Sequence, residues 1–343
     1  LLALRGMTDG PEAAAFLAPS PVYEHTGTLP DLQVAIERLL RAVETRETVA
    51  VFGDFDVDGV TSAAQLGQAI SALGGVPLLY VPDRFSEGYG LNIDAIDRLR
   101  ADGATLLVTA DCGTSSVAEV AHARAAGMDV IILDHHTVPP VLPEALALVN
   151  PKVIGAEAGD LSELATAGLA LHLARALHDA ANMPFDEPAY IDIAALGTVC
   201  DMAPLLQENR RIVQIGLAAL ARTRRPGLRA LMAIARVDAQ AVVADDLGYR
   251  LGPRLNAAGR IAHAKLALEL LTTDDVERGL SLARRLDELN RERQQRTAEA
   301  VALAEHLMGD AEPPPLIMIG HRDFSSGIVG LIASRLVNTY GRP

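Results

Sequence analysis

The sequence predicts an α/β protein: a doubly wound parallel sheet with helical additions, a long connector helix and the start of a second α/β domain. Three observations predict it. From Thr48 to Asn150, short β-branched and aliphatic runs alternate with amphipathic runs of helical length, the pattern of a parallel sheet covered by crossover helices. From about Leu161 the apolar runs lengthen and take a helical period. Near the end, TTDDVERGLSLARRLDELNRERQQRTAEAVALAEHLMG runs with almost no breaker and with charges alternating in sign, as a solvated helix does.

Taken in order, the chain opens with a Pro-containing loop, FLAPSPVYEHTGTLP, and a helical run, DLQVAIERLLRAVETRE, in which Leu32, Ala35, Ile36, Leu39, Leu40 and Val43 share one face. TVAVF then reads as a strand, TSAAQLGQAISALG as a helix and VPLLYVP as a strand. IDAIDRLRADG reads as a helix, TLLVTA as a strand, SSVAEVAHARAAG as a helix, DVIIL as a strand and LALVN as a further short strand. Gly74-Gly75, Gly103 and Gly127 stand where helix C-terminal glycines belong. LATAGLALHLARALHDA, AYIDIAALGTVCDMA and NRRIVQIGLAALART are helical. The long charged stretch ends at EPPP, where a new apolar strand, LIMIG, is expected, so it reads as an interdomain connector. The expected divisions are an N-terminal extension over 1–45, a catalytic unit over 46–275, the connector over 276–311 and the start of a second domain over 312–343.

At 343 residues the chain is long enough for two domains with their own cores. Half the residues are apolar, only 3% are aromatic and there is no Trp, so the cores must be aliphatic. A net charge of −14 favours solubility and argues against generic nucleic-acid affinity. Metal would neutralise several of those acids, and Arg222, Arg224, Arg225 and Arg229 gather locally, so the net sign leaves a polyanionic substrate open. Cys112 and Cys200 form no C-x-x-C pair, which points to a reducing cytoplasm. No apolar run approaches the ~18 residues of a membrane helix. The start, LLALRGMTDG, has neither an initiator Met nor a signal-peptide pattern, and NTYGRP stops just after a helical pattern; both ends read as trimmed.

The chemistry concentrates in VFGDFDVDGVTSAAQ, which sets Asp54, Asp56 and Asp58 within five residues of one another after an apolar run. D-x-D-x-D-G opens a calcium-binding helix–loop–helix loop, but that loop needs Glu at its twelfth position and a helix before it. Here the twelfth residue is Gln65 and the flank is a strand, so a hard-metal site at a strand end remains. TLLVTA leads likewise to Asp111, and DVIIL to Asp134, His135 and His136. In an open parallel sheet these strand ends share one edge, where ligands bind. Unpaired, the carboxylates would raise one another's pKa, and one or two divalent cations resolve that conflict. Carboxylates with imidazole suit Mn²⁺, and Mg²⁺ less well; a carboxylate bridging two metals suits phosphoryl transfer. Asp201, after the apolar run IAALGTVC, is either a helix-ending residue or a fourth ligand, and Cys112 and Cys200 read as small core residues.

Together, GDFDVDG, TADCG, LDHH and GTVCDMAPL resemble the DHH phosphoesterase superfamily and, within it, the RecJ family of bacterial single-strand-specific 5′→3′ DNA exonucleases. DRFSEGYGLN and LGYRLGPRLNAAGRI resemble RecJ in particular, and HRDFSSGIVGLIASRL resembles the start of its DHH-associated domain. The resemblance makes Asp54, Asp56 and Asp58 the first-motif acids, with Asp54 the least certain to touch metal, and Asp111 the acid bridging two Mn²⁺ ions. It makes His135 a direct ligand, joined by Asp201 on the metal that Asp58 also holds. His136 then lies nearer the scissile phosphate, and Asp134 orients a neighbouring histidine. Arg84 and Tyr89 match positions near the substrate end, where an Arg forks onto a 5′-phosphate and a Tyr stacks on a base or blocks a duplex. Arg254, Asn256 and Arg260 match phosphate contacts along a channel, the alternative being a loop held by Arg–carboxylate pairs.

The resemblance implies a metal-dependent exonuclease releasing 5′-mononucleotides from single-stranded DNA in repair and recombination. It also implies a cytoplasmic monomer working beside repair or replication proteins such as a helicase or a single-strand-binding protein. The alternatives are an oligoribonucleotide or cyclic-dinucleotide phosphodiesterase of the same superfamily and a catalytically inactive scaffold. DFSSGIVG departs from the family, which has an aromatic and a His before this segment. Family members also continue past GRP into a Ser- and Arg-containing stretch and often an oligonucleotide-binding fold. Cleavage with weaker or less selective DNA binding is therefore expected. Few aromatics (Tyr80, Phe85, Tyr89 and Tyr249 among them) are on hand to stack bases, so affinity should lean on phosphates and fall with salt.

Overall fold

A computed structural model of the chain describes residues 2–6, 8, 10–18, 25–309 and 313–343. The expected loop over 16–30 lies partly outside these residues, and the expected boundary at 311/312 lies wholly outside them. Five strands, β1 (Thr48–Gly53), β2 (Val76–Tyr80), β3 (Ala104–Ala110), β4 (Asp129–Leu133) and β5 (Ala147–Val149), form one parallel sheet in the order β2-β1-β3-β4-β5. The order reverses at β1, whose two neighbours are β2 and β3. In a doubly wound sheet that reversal opens a crevice at the carboxyl ends of the strands.

Helices α1 (Gly10–Leu17) and α2 (Leu32–Glu44) precede the sheet; α3 (Val57–Ala72), α4 (Ile93–Ala101) and α5 (Val117–Ala125) are the crossovers. The strands have period-2 side chains buried on both faces. Val49, Val51, Leu106, Val108 and Ile131 pack into the core shared with α2 and α3. Ala50, Phe52, Leu107, Val130 and Ile132 pack against Ile96 and Leu99 of α4 and Val120 of α5. Each Val, Leu, Ile or Phe among them contributes about 1.5–3 kcal/mol relative to exposure. Gly74, Gly103 and Gly127 end their helices with φ near +84°, +94° and +78°.

Beyond the sheet come α6 (Thr166–Ala180), α7 (Pro188–Cys200), α8 (Gln207–Leu220) and α9 (Pro226–Ile234). The short α10 (Ala244–Asp246) passes through a π turn, Leu247–Leu251, into α11 (Gly252–Ile261), and α12 (Lys265–Thr272) follows. The connector is one helix, α13 (Val276–Met308), capped by Asp275 through the Glu277 and Arg278 amides. At 1.5 Å per residue it is roughly 50 Å long. Leu282, Ala283, Leu286 and Leu289 bury its first half in the main core. Ala300 and Ala304 in its second half meet Ile328, Ile332 and Leu336 around α14 (Val329–Tyr340).

Three expectations are corrected. LIMIG is not a strand: Leu316 and Met318 are exposed, and the Ile317 N–H donates to the Pro343 carbonyl instead of to a neighbouring ladder. Helix α3 begins at Val57 rather than Thr61, because the Asp56 carboxylate caps it through the Asp58 and Gly59 amides. Tyr80 is no base-stacking platform, since its ring stacks on Phe52 and its hydroxyl donates to Glu87.

Candidate metal centre

The sheet's own ladder brings the acids together. Beyond the last residue of β1, the Asp54 N–H donates to the Ala110 carbonyl; beyond β3, the Asp111 N–H donates to Leu133; beyond β4, the Asp134 N–H donates to Val149. Three adjacent strands thus end in acids at one edge. Asp111 turns out of its strand with φ of 68°, a left-handed conformation that Asp tolerates better than bulkier residues but which still costs energy.

Side chains from the helical additions complete the group. Asp58, in the first turn of α3, is 1% exposed. Its Oδ2 accepts from the Thr166 N–H at 2.8 Å and its Oδ1 from the Ala167 N–H at 2.7 Å, both from the start of α6. The Thr166 hydroxyl also donates to Asp111 Oδ1 at 3.1 Å. Asp201 caps the C-terminal end of α7, so it is a helix-ending residue that still faces the site. His135 Nε2 lies 3.4 Å from Asp111 Oδ1, 3.7 Å from Asp201 Oδ1 and 3.9 Å from Asp58 Oδ2. Gly197 of α7 makes the approach possible: a Cβ there would lie 2.4 Å from both the Ala167 Cβ and the Thr61 hydroxyl.

Donor atoms converge in three overlapping sets, each within 4.8 Å: Asp54, Asp56 and Asp111; Asp58, His135 and Asp201; and Asp111, His135 and His136. Two atoms test whether a cation fits. Asp54 Oδ1 and His135 Nε2 are buried without a hydrogen-bond partner, a state that costs about 1–3 kcal/mol each and that a metal would relieve. The electrostatics agree. Burial and Asp56 push Asp54 up to about 7, and burial and Asp56 push Asp201 up to about 6. Burial and neighbouring carboxylates push Asp58 and Asp111 well above the usual range. Burial lowers His135 to about 4, leaving a neutral imidazole with a free lone pair. The donor set therefore fits hard or borderline divalent cations, Mn²⁺ and Mg²⁺ included.

Asp134 is different. Despite burial, hydrogen bonds from His136 and Thr114 lower it to about 2. Its Oδ1 accepts from His136 Nδ1 at 2.7 Å, and its Oδ2 from the Thr114 amide at 2.9 Å. That leaves His136 Nε2 aimed outward, 3.4 Å from the Tyr89 hydroxyl.

A cleft of about 500 Å³ beside the acids is lined by Asp54, Asp56, Arg84, Tyr89, Asn256, Arg260 and Ser326 among others. The Arg84 guanidinium lies 3.8 Å over the Phe55 ring and donates to the Gly259 carbonyl at 2.8 Å, and Tyr89 meets Phe55 edge-on. Arg260 Nη1 donates to the Gly327 carbonyl at 3.3 Å. Arg254 does not join them: it lies outside the cleft, with Nε on Asp287 of α13 at 2.9 Å. A larger cleft, about 880 Å³, lies between α3, α7 and α8 and holds none of these residues. Sequence reading missed Thr166, Ala167, Thr114 and Phe55. Only the helix start in LATAG signalled the first two, and nothing local showed that it meets Asp58.

Residues 48–198 match the DHH family, N-terminal domain. The chain is 36% identical over 348 residues to the single-stranded-DNA-specific exonuclease RecJ of Bacillus subtilis, covering 100% of this chain and 43% of that one. To RecJ of Escherichia coli it is 39% identical over 333 residues, covering 92% and 57%. A crystal structure of exonuclease RecJ bound to manganese superposes with a TM-score of 0.83 at 32% identity, covering 94% of this chain and 80% of that one. RecJ from Thermus thermophilus in complex with Mn²⁺ gives 0.86 at 30% identity, covering 100% and 48%. The chain spans about half the length of the curated relatives it matches.

Proposed function

The chain belongs to the RecJ group of the DHH family, and on that premise we propose that it is a metal-dependent exonuclease hydrolysing single-stranded DNA from its 5′ end to 5′-mononucleotides. The observation that carries the reading is the convergence of Asp54, Asp56, Asp58, Asp111, His135 and Asp201 donor atoms beside an arginine-lined cleft.

In this reading Asp58, His135 and Asp201 would hold one cation and Asp54 and Asp56 the other, with Asp111 available to both. Mn²⁺ suits the set, and Mg²⁺ also fits. When bound, two such cations lower the pKa of water and stabilise charge on phosphoryl oxygens. The chain's own residues do the rest. Thr166 and Ala167 fix both oxygens of Asp58, and Asp134 fixes the ring of His136. That hydrogen bond to Asp134 raises His136 and turns its Nε2 outward, toward the space a phosphate oxygen would take. Arg84 and Arg260 offer guanidinium charge to the strand, and Asn256 lines the same cleft. Tyr89, 63% exposed at the rim, offers a face to one terminal base and an obstacle to a duplex. Arg254 acts through α13, not on the strand.

The polarity and the placement in repair follow from the family, as do a monomeric state, a cytoplasmic location and helpers such as a helicase or a single-strand-binding protein. The relatives named for single-stranded DNA support this substrate.

The test is incubation of the chain with Mn²⁺ and oligonucleotides labelled at either end. Immediate release of a mononucleotide from the 5′ label, with stepwise shortening from the 3′ label, is expected. Turnover of short RNA or a cyclic dinucleotide without DNA cleavage would keep the metal chemistry and overturn the substrate.

A further inference from the structure

Arg84 and Tyr89 stand on one loop, which runs between the end of β2 and the start of α4. The backbone around Tyr89 sets no direction of its own. Gly88 and Gly90 flank it with φ of 81° and 76°, the left-handed region that glycine enters freely. Asp83 Oδ1 accepts from the Phe85 and Ser86 amides and the Ser86 hydroxyl. Those bonds shape the loop but tie it to nothing outside itself.

Glu87 supplies the tie. It is not among the walls of the cleft, and its side chain is only 7% exposed. Its Oε2 accepts from the Asp83 N–H at 2.7 Å, while the Glu87 N–H donates back to the Asp83 carbonyl at 2.8 Å. Its Oε1 accepts from the Tyr80 hydroxyl and pairs with Arg98 Nη2 at 2.9 Å. Arg98 Nη1 also donates to the Tyr80 hydroxyl, at 3.2 Å, so the three side chains close a triangle.

The two partners are themselves fixed. Tyr80 is the last residue of β2, and its ring stacks on Phe52, its ladder partner on β1. Burial and the adjacent Glu87 raise its hydroxyl above the ordinary value, which keeps it a donor. Arg98 lies in the last turn of α4, with Nε on the Asp94 carbonyl at 3.2 Å. One carboxylate thus fastens the loop to both elements that bound it, and a group held by its neighbours in this way is the kind that keeps a binding side chain in place.

We propose that Glu87, with Tyr80 and Arg98, is a positioning residue for strand recognition: it touches neither strand nor cation, and it sets where Arg84 and Tyr89 stand beside the strand-end acids. The inference rests on the nuclease reading for its substrate and on the hydrogen bonds of the loop for its geometry.

The test uses the full chain with Mn²⁺ and a 5′-phosphorylated single strand. Glu87→Gln keeps the size of the side chain but turns an NH₂ toward either the Asp83 N–H or the Tyr80 and Arg98 donors, so it loosens the anchor without opening a cavity. It should raise KM about 10-fold, within the cost of about 100-fold that a 1 Å misplacement can carry, while kcat at saturating strand and the Mn²⁺ midpoint stay near those of the parent. Tyr80→Phe keeps the stack on Phe52 and loses only the hydroxyl, and should shift KM the same way by less. Hydrogen exchange needs no turnover: amides over 83–90 should exchange faster in both variants, with those of α3 and α6 unchanged. A shifted Mn²⁺ midpoint, a fall in kcat without a rise in KM, or parental exchange rates over 83–90 would each overturn the proposal. A parent chain that cleaves no DNA would overturn the nuclease reading instead, and the exchange rates would still decide the anchor.

Discussion

Thr166 holds Asp58 and Asp111 at once, its amide on Asp58 Oδ2 and its hydroxyl on Asp111 Oδ1. The backbone donor survives any substitution, but the hydroxyl does not. Thr166→Val should therefore weaken Mn²⁺ affinity about 10–100-fold, the usual cost of losing a group that orients a ligand, while activity at saturating Mn²⁺ changes much less. Isothermal titration beside a metal-dependence curve would check this; an unchanged Mn²⁺ midpoint rejects the role.

Asp111 is the carboxylate common to two of the donor sets. Asp111→Ala should abolish cleavage at every Mn²⁺ concentration, because no increase in free metal replaces a shared ligand. Substantial turnover in this variant at high Mn²⁺ would sink the two-metal assignment.

Arg84 faces Phe55 and the Gly259 carbonyl as well as the cleft. Arg84→Ala should raise KM for a 5′-phosphorylated strand about 10–100-fold, from the loss of a charge-assisted hydrogen bond of about 1.5–3 kcal/mol. Hydrolysis of a small chromogenic phosphodiester should persist. Equal loss on both substrates would make Arg84 a packing residue.

The raised carboxylates set a pH dependence. An acid whose folded pKa lies above its unfolded value, about 3.9 for Asp, contributes stability that is fully present below that value and lost as pH rises through the folded pKa. With Asp201 at about 6 and Asp54 at about 7, the metal-free protein loses this contribution between about pH 4 and pH 7. The same ionisations create the cation site. The rise in melting temperature on adding Mn²⁺ should therefore grow from pH 5 to pH 8. Thermal scans with chelator and with Mn²⁺ would measure it, and a rise that shrinks with pH contradicts the assignment.

Gly197 lets α7 close on Asp58. Gly197→Ala would place a methyl 2.4 Å from the Ala167 Cβ and 3.1 Å from Asp58 Oδ1. It should cost about 1–3 kcal/mol, as overpacking does, and should weaken metal binding too. Urea unfolding with a midpoint like that of the parent would refute the packing argument.

What was legible in the sequence was whatever is local. TVAVF, TLLVTA and DVIIL each declare a strand by composition, and each is followed by its acid, so the edge bearing Asp54, Asp111 and Asp134 could be read directly. Partners distant in the sequence could not. Nothing near Arg254 reveals Asp287, nothing near Asp58 reveals Thr166, and nothing near Tyr80 shows that Phe52 on the next strand will take its ring. LIMIG had strand composition, but among the described residues no strand pairs with it, and composition without a ladder does not make a strand.

Helix α13 has a consequence for the opening of the cleft. Its first half is sunk in the main core and its second half carries α14. Arg260 on α11 and Gly327 before α14 touch backbone to backbone, so closely that a Cβ on Gly327 would overlap the Arg260 carbonyl. The Arg260 and Ser326 sides of the cleft are thus two posts bolted to one beam. Its width is therefore set, as by a gauge, by how α11 and α14 pack on that one helix.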